Sequence, residues 1–326
     1  MSRERLLNGA VLLALIVIPG WALYADEPFT ITLATRAVIF ALAAVGLNIA
    51  LGLGGLVSLG HAVFFGIGGY AMGILASHAQ SYTPLIEWPF VIEGTKSMPV
   101  IWLVAIVASS AAALLIGLLS LRTSGVYFIM ITLAFGQMMY FFAISWPAYG
   151  GEDGLSIYVR NGFPGLDTLV PIQFYGLCLA LLCLVLAFNA RLMRSPFGLA
   201  LDAARQVPER VRAVGLDPRR LQLVALVISG AITGLAGALF ADLNRFVSPT
   251  MLSWQMSGEI MVFVIIGGVA RLFGPVAGAG IYVLLEHLLG GVSEYWQIFL
   301  GLVLLIVVLF GKGGVVGMIA GRRRDG

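Results

Sequence analysis

Long apolar runs broken by short polar interruptions set the pattern of this chain. Leu6 to Ala25 forms the first run, closed by Asp26 and Glu27, and Thr30 to Leu51 forms the second, with Arg36 near its start. Further runs cover Ala62 to Ser77, Pro99 to Leu121, Gly125 to Trp146, Leu169 to Ala190, Leu221 to Ala241, Gly258 to Ile266, Val276 to Leu289 and Tyr295 to Phe310. A run of about 20 apolar residues matches the thickness of a bilayer's hydrocarbon core, and a helix bonds its own peptide groups there. The pattern predicts an all-α polytopic membrane protein of about ten transmembrane helices, some short or re-entrant. The whole chain, 1–326, is read as one transmembrane domain. The short alternating segments of a membrane β-barrel are absent.

One passage departs from the pattern. Residues 191–220 carry seven of the nineteen basic residues and lie between two spans. Their order is helical. Leu199 to Gln206 reads as a short helix, and Pro208 suits the first position of a second, since its missing N–H is not needed there. Glu209 follows at that helix's positive end, Gly215 supplies a left-handed terminator, and Asp217 with Pro218 opens the next span. Val207, Val211 and Val214 fall on one face. The product is a compact charged elbow, either a solvated loop or a docking element for a soluble partner.

Charge then orients the chain. With ten crossings, fifteen basic residues fall on the elbow's side, and only Arg36, Lys96, Arg160 and Arg245 on the other. The excess of Lys and Arg marks the cytoplasmic face. Both termini are therefore expected in the cytoplasm, with 147–168 as an external loop. Composition agrees, at 60% hydrophobic and 11% charged residues with a mean hydropathy of +0.99. A net charge of +3 gives no reason to expect nucleic-acid binding. Cys178 and Cys183, five apart in one run, face different sides of a helix and are read as packing residues.

Two glycine-rich interruptions resemble each other, Gly54-Gly55-Leu56-Val57-Ser58-Leu59 and Gly267-Gly268-Val269-Ala270-Arg271-Leu272. Paired interruptions in two halves of a transporter point to its pathway. Gly54, Gly55, Ser58, His61, Gly267 and Gly268 are the candidate pathway residues. His61 reads equally well as a structural hydrogen-bonding group, and the glycines as packing residues. If either break re-enters the membrane, the full crossings fall to eight or nine. Glu259 and Glu286 lie in or near apolar segments, where a charge suggests function unless it sits at an interfacial helix end. After the elbow, Gly230, Gly234 and Ala238 recur every fourth position, as do Thr233, Gly237 and Ala241. Such stripes let helices approach closely in lipid.

No catalytic constellation or metal-ligating pattern is visible. There is no GxxxxGK[ST] loop, so the chain has no ATP site of that type. An integral-membrane enzyme has little support. A proton-driven carrier would bury more ionisable groups.

Several stretches carry a family resemblance. They are Ala44-Val-Gly-Leu-Asn-Ile-Ala-Leu-Gly52, Gly55 to Tyr70, Ile131-Thr-Leu-Ala-Phe-Gly136, the Gly150-Gly-Glu-Asp-Gly-Leu155 loop, the elbow, Ser229 to Phe240, and Gly267-Gly268 with Gly274-Pro275. In this order they resemble the LivM-type permeases of bacterial branched-chain amino acid ABC importers, along nearly the whole chain. The resemblance implies a type II-like permease fold in the bacterial inner membrane. It implies two ABC ATPase subunits, which bind the ATP, a second related permease, and a periplasmic binding protein that carries most of the selectivity. It also implies that Ala203 to Leu216 is the coupling helix. Ala203, Ala204, Arg205, Glu209, Arg210, Val211 and Gly215 are the candidate ATPase-coupling residues. Gln206-Val-Pro and Lys312-Gly-Gly depart from the family's usual sequences. A sister group imports urea and short amides, but its version of the 150–155 loop usually lacks the acidic pair found here. A stand-alone carrier or channel is the alternative from another class.

Overall fold

The computed structural model describes residues 3–86, 92–291, 297–302, 305 and 313–320. It is built from helices α1 (Arg3–Tyr24), α2 (Pro28–Asn48), α3 (Ala62–Ser81), α4 (Met98–Ser120), α5 (Val126–Ile144), α6 (Pro171–Arg194), α7 (Pro196–Gln206), α8 (Pro208–Ala213), α9 (Pro218–Asn244), α10 (Trp254–Gly267), α11 (Gly274–Gly290) and α12 (Gly314–Ala320). Six described helices are long and apolar enough to cross a membrane: α2 with its extension to Leu53, α3, α4, α5, α6 and α9. Asn8–Tyr24 in α1, α10 and α11 are shorter apolar helices. The expectation of about ten crossings thus meets six full-length helices and three shorter ones among the described residues. Most of its last run, Tyr295 to Phe310, lies outside them.

The loops are not wholly irregular, as an all-α reading implied. Strands β1 (Pro84–Ile86) and β2 (Ile92–Glu93) pair antiparallel, as do β3 (Leu155–Ser156) and β4 (Phe246–Val247). The second pair joins the 147–168 loop to the end of α9. Arg160 strengthens the join by donating to the carbonyls of Thr168, Leu243 and Asp242, at 2.8, 3.1 and 3.3 Å. Its guanidinium also stacks over Phe174. The Asp242 carboxylate accepts from the backbone and side-chain nitrogens of Asn161. Burial lowers the pKa of Arg160, and the nearby Asp242 charge opposes the shift.

The core centres on α2 and α9. Every residue of α2 from Val38 to Asn48 is buried, because other helices surround it and α9 packs along it, along α3 and along α4. The small-residue stripes of α9 explain the close approach. A β-carbon on Gly234 would lie 2.0 Å from Ser109 Oγ on α4, and one on Gly237 would lie 1.8 Å from the Phe65 carbonyl on α3. The first stripe therefore admits α4 and the second admits α3. Ser109 Oγ fills the space left by Gly234 and donates to the Phe64 carbonyl at 3.1 Å, joining α4 to α3 as well. Both cysteines are free; Cys178 is buried, as a packing residue is, whereas Cys183 is exposed, so the packing reading holds for Cys178 alone.

Gly237→Leu is expected to separate α9 from α3 and cost at least about 1–3 kcal/mol, the usual range for overpacking. A β-carbon on Gly176 in α6 would meet nothing within 4 Å, so Gly176→Ala is expected to be neutral or mildly stabilising. Thermal melting of the two purified variants in detergent checks the contrast, and equal melting temperatures would contradict this packing.

Candidate functional site: the elbow and the two glycine breaks

The elbow folds much as its sequence dictates, although its first helix starts earlier than predicted, at Pro196. Ser195 caps that helix by accepting from the Gly198 N–H at 3.1 Å, so the Ser-Pro pair sets the start. Pro208 opens α8, Gly215 adopts φ +85°, and Asp217 caps α9 through the Arg219 N–H. The expected valine face divides. Val211 is 5% exposed and packs inward, while Val207 and Val214 are exposed. Ala204 is buried as well. Ala203, Arg205, Glu209, Arg210 and Gly215 are on the surface. Leu199 and Leu216 are exposed as well, as are Glu209, Arg210 and Arg212.

Arg205 has a different position from the rest of the elbow's surface. Its Nη1 donates to the Gly52 carbonyl at 2.9 Å, and its Nη2 pairs with Asp202 at 2.9 Å. Gln222, one turn into α9, donates to the Gly54 carbonyl at 3.3 Å. Gly55 lies against the Arg205 stem with φ +68°, and a β-carbon there would come 2.7 Å from Arg205 Cγ. One arginine thus ties the elbow to the first glycine break.

The break forms where α2 widens into a π-helical turn, Ile49–Leu53. Gly54 N–H then bonds back to Ile49 O, and Leu56 N–H to Ala50 O. Gly52 and Gly54 keep carbonyls directed at the elbow, which Arg205 and Gln222 occupy. Ser58 and His61 follow, both buried. Ser229 Oγ donates to Gly46 O, and Thr233 Oγ1 donates to Ser229 O. Both hydroxyl hydrogens being so used, His61 Nε2 must carry a proton and donate to the two oxygens, at 3.1 and 3.0 Å. The histidine therefore joins α3's start to α9 through its Nε2–H. The adjacent Ala62 N–H is capped by Ser257 of α10 at 2.8 Å.

The second break meets the first. Asn48, the last residue of α2, donates through Nδ2 to Arg271 O at 3.0 Å and accepts from Ala270 N–H at 2.9 Å. Gly52 allows the approach, since a β-carbon there would be 2.8 Å from Ala270 N. Gly267 and Gly268 are buried. A β-carbon on Gly267 would fall 1.7 Å from Gly274 O on α11, and Gly268 takes φ +118°. The six candidate pathway residues are thus brought into one region, but five of them are enclosed and only Gly55 is exposed. Asn48, Gly52 and Gln222 were not singled out from the sequence as site residues. The available signal was an amide alone in a long apolar run, within a stretch that already carried the family resemblance.

Comparison with known proteins agrees with this architecture. Residues 29–308 match the family described as branched-chain amino acid transport system / permease component. The high-affinity branched-chain amino acid transport system permease protein LivM of Escherichia coli (strain K12) is 30% identical, over 89% of this chain and 70% of its own length. The protein of the same description from Salmonella typhimurium is 29% identical, over 94% of this chain and 74% of its own. A probable permease LivH of Methanocaldococcus jannaschii is 23% identical over 41% of this chain and 45% of its own. No solved structure gives a significant match. The chain belongs to the branched-chain amino acid transport permease family, and it is a multi-pass membrane protein.

Asn48→Leu, which keeps the volume and removes both bonds to the second break, is expected to cost about 1–3 kcal/mol. The melting temperature of the purified variant in detergent checks this, and an unchanged value would mean that the two breaks are held together by other contacts.

Proposed function

We propose that this chain is the permease subunit of an ATP-binding-cassette importer that moves branched-chain amino acids across the bacterial inner membrane. Two ATPase subunits bind the ATP and a second, related permease completes the pathway. A periplasmic binding protein delivers the substrate to the face carrying the 147–168 loop, where Glu152 and Asp153 are exposed. Family membership supports the reading, as do the two similar proteins described as permeases of high-affinity branched-chain amino acid transport. In this reading the elbow is cytoplasmic, as are both termini, and the shorter helices α1, α10 and α11 contribute crossings toward the expected ten.

The observation that carries the proposal is the elbow's division into two faces. Leu199, Val207, Val214 and Leu216 are exposed beside Glu209, Arg210 and Arg212. Exposed apolar and charged side chains together on a compact helical element suit a groove on a soluble partner. The inner face is committed to the permease through buried Ala204, Leu201 and Val211 and through Arg205. The outer face receives the movement of the ATPases, and Arg205 with Gln222 passes it to the glycine breaks. Arg205 is thus a positioning residue for the coupling, and Glu209, Arg210, Val207 and Val214 form the docking face.

Reversing Glu209→Arg and Arg210→Glu together is expected to weaken co-purification of the ATPase at least tenfold while the permease remains inserted. Undiminished assembly and undiminished ATP-driven uptake would remove these two residues from the interface. Arg205→Ala is expected to act differently, leaving assembly intact but lowering leucine uptake severalfold per ATP hydrolysed in proteoliposomes. An unchanged ratio of uptake to hydrolysis would show that the Gly52 bond carries no coupling.

A further inference from the structure

Three helices of the core share a repeated design away from the elbow. In α2, Arg36 precedes Phe40 by four residues. In α10, Glu259 precedes Phe263 by four. In α11, Glu286 follows Tyr282 by four. Side chains four apart on a helix lie on one face, and here the faces converge. The three rings form one contiguous layer, with centroids 5.2 Å apart between Phe40 and Phe263 and 4.7 Å between Phe263 and Tyr282. All three are buried.

The charged groups form a second layer on this aromatic floor. Arg36 Nη2 pairs with Glu286 Oε1 at 2.9 Å, and its guanidinium lies 5.2 Å from the Phe40 ring centre. Glu259 lies one turn before Phe263, whose ring meets both Phe40 and Tyr282, on a helix packed against α2 and α11. The three helices thus bring two carboxylates and one guanidinium to the same end of the aromatic layer.

Its hydrogen bonding is incomplete. Glu286 Oε2 is enclosed and has no partner, and Glu259 makes no hydrogen bond or ion pair among the described residues. Among the described residues, Arg36 uses one of its five donors. Unsatisfied charged groups in a membrane interior are costly and mark places where something polar binds. The layer remains partly open, with the Arg36 side chain 34% exposed and that of Glu286 21%. Arg36 stands eight residues into α2, about 12 Å along the helix at 1.5 Å per residue, within the stretch Pro28–Leu53 that is long and apolar enough to cross a membrane.

The chemistry of the unmet groups selects the ligand. A hard metal cation takes six or more oxygen ligands, and this layer offers two carboxylates beside a repelling guanidinium. A simple anion would meet the carboxylates. A zwitterion satisfies both signs, with its carboxylate on the free donors of Arg36 and its ammonium on the carboxylates of Glu259 and Glu286. We propose that Arg36, Glu259 and Glu286 form an intramembrane binding station for the head group of an α-amino acid. The aromatic floor is already packed, so the station reads the head group and leaves the aliphatic side chain unread. The proposal rests on the importer reading and adds a substrate contact to it.

The test uses the whole transporter, with ATPases, partner permease and binding protein, in proteoliposomes and labelled leucine as the probe. Glu259→Gln and Glu286→Gln are each expected to lower ATP-driven uptake at least tenfold, while liganded binding protein still stimulates ATP hydrolysis. Glu259 holds no protein partner among the described residues, so its substitution removes no bond of the fold. Wild-type uptake by Glu259→Gln would overturn the station as proposed. The double variant Arg36→Glu with Glu286→Arg restores an ion pair but reverses its polarity. It is expected to melt like the wild type and to remain defective in uptake, whereas recovery of uptake would make the pair purely structural and overturn the proposal. If the unsubstituted complex shows no ATP-driven leucine uptake, the importer reading itself fails and the station with it.

Discussion

A helix that stops within an apolar bundle leaves peptide groups that neither lipid nor aliphatic side chains can satisfy. That requirement organises the region around the first glycine break. After α2 widens into its π-helical turn, the carbonyls of Gly52 and Gly54 are bonded by Arg205 and Gln222. The Ala62 N–H at the start of α3 is bonded by Ser257. Asn48 supplies a donor and an acceptor to the second break. Asn48, Arg205, Gln222 and Ser257 each answer a particular backbone group at the breaks. Together they connect the elbow, α2, α3, α9 and α10. The break thus serves as the point at which five elements are bonded to one another.

Close packing makes those bonds possible. In lipid, helices gain no hydrophobic driving force by associating, so contact has to come from fit and from polar bonds across the interface. The two stripes of α9 provide the fit, one toward α4 and the other toward α3. Ser229 and Thr233, lying among the small residues, provide the bonds. The Gly46 carbonyl accepts from Ser229 at 2.5 Å, and a β-carbon on Gly46 would be 2.7 Å from Thr233 Oγ1. His61 reaches both hydroxyls only because the backbones lie this close. Its placement is a consequence of the stripes as much as of the break.

Those differences in cause explain what could be read from the sequence. Apolar runs report spans directly, and proline, glycine and aspartate report local turns, so Pro208, Gly215 and Asp217 took their expected places. The small-residue stripes were visible because their spacing is regular. The meeting of the two breaks was not, because it depends on a bond between residues more than two hundred positions apart. Arg205 is a coupling candidate by resemblance, and its bond to the Gly52 carbonyl on another element leaves no mark in the residues around it. Val211 was placed with Val207 and Val214 by periodicity, but α8 is six residues long and ends before that periodicity can hold. Arg36 shows in the sequence only as a charge near the start of an apolar run, and the glutamate that holds it lies on α11.

The long-range bonds converge on α2. Gly52 in its π-helical extension meets the elbow, Asn48 meets the second break, and Arg36 belongs to the charged layer. Gly52 and Arg36 are sixteen residues apart, or about 24 Å of helix. The buried stretch between them packs against α9, α11 and α6, which oppose bending. A shift entering at Gly52 is therefore carried along α2 as motion of a body, while the π-helical turn, the least regular part of the helix, is where register can change. If the elbow docks an ATPase and the charged layer binds an amino acid, α2 is the mechanical element common to both. Coupling then needs no long chain of side-chain contacts. It needs a rigid helix with a polar attachment at each end, and the sequence places Arg36 and Asn48 at those positions in a run that is otherwise almost wholly apolar.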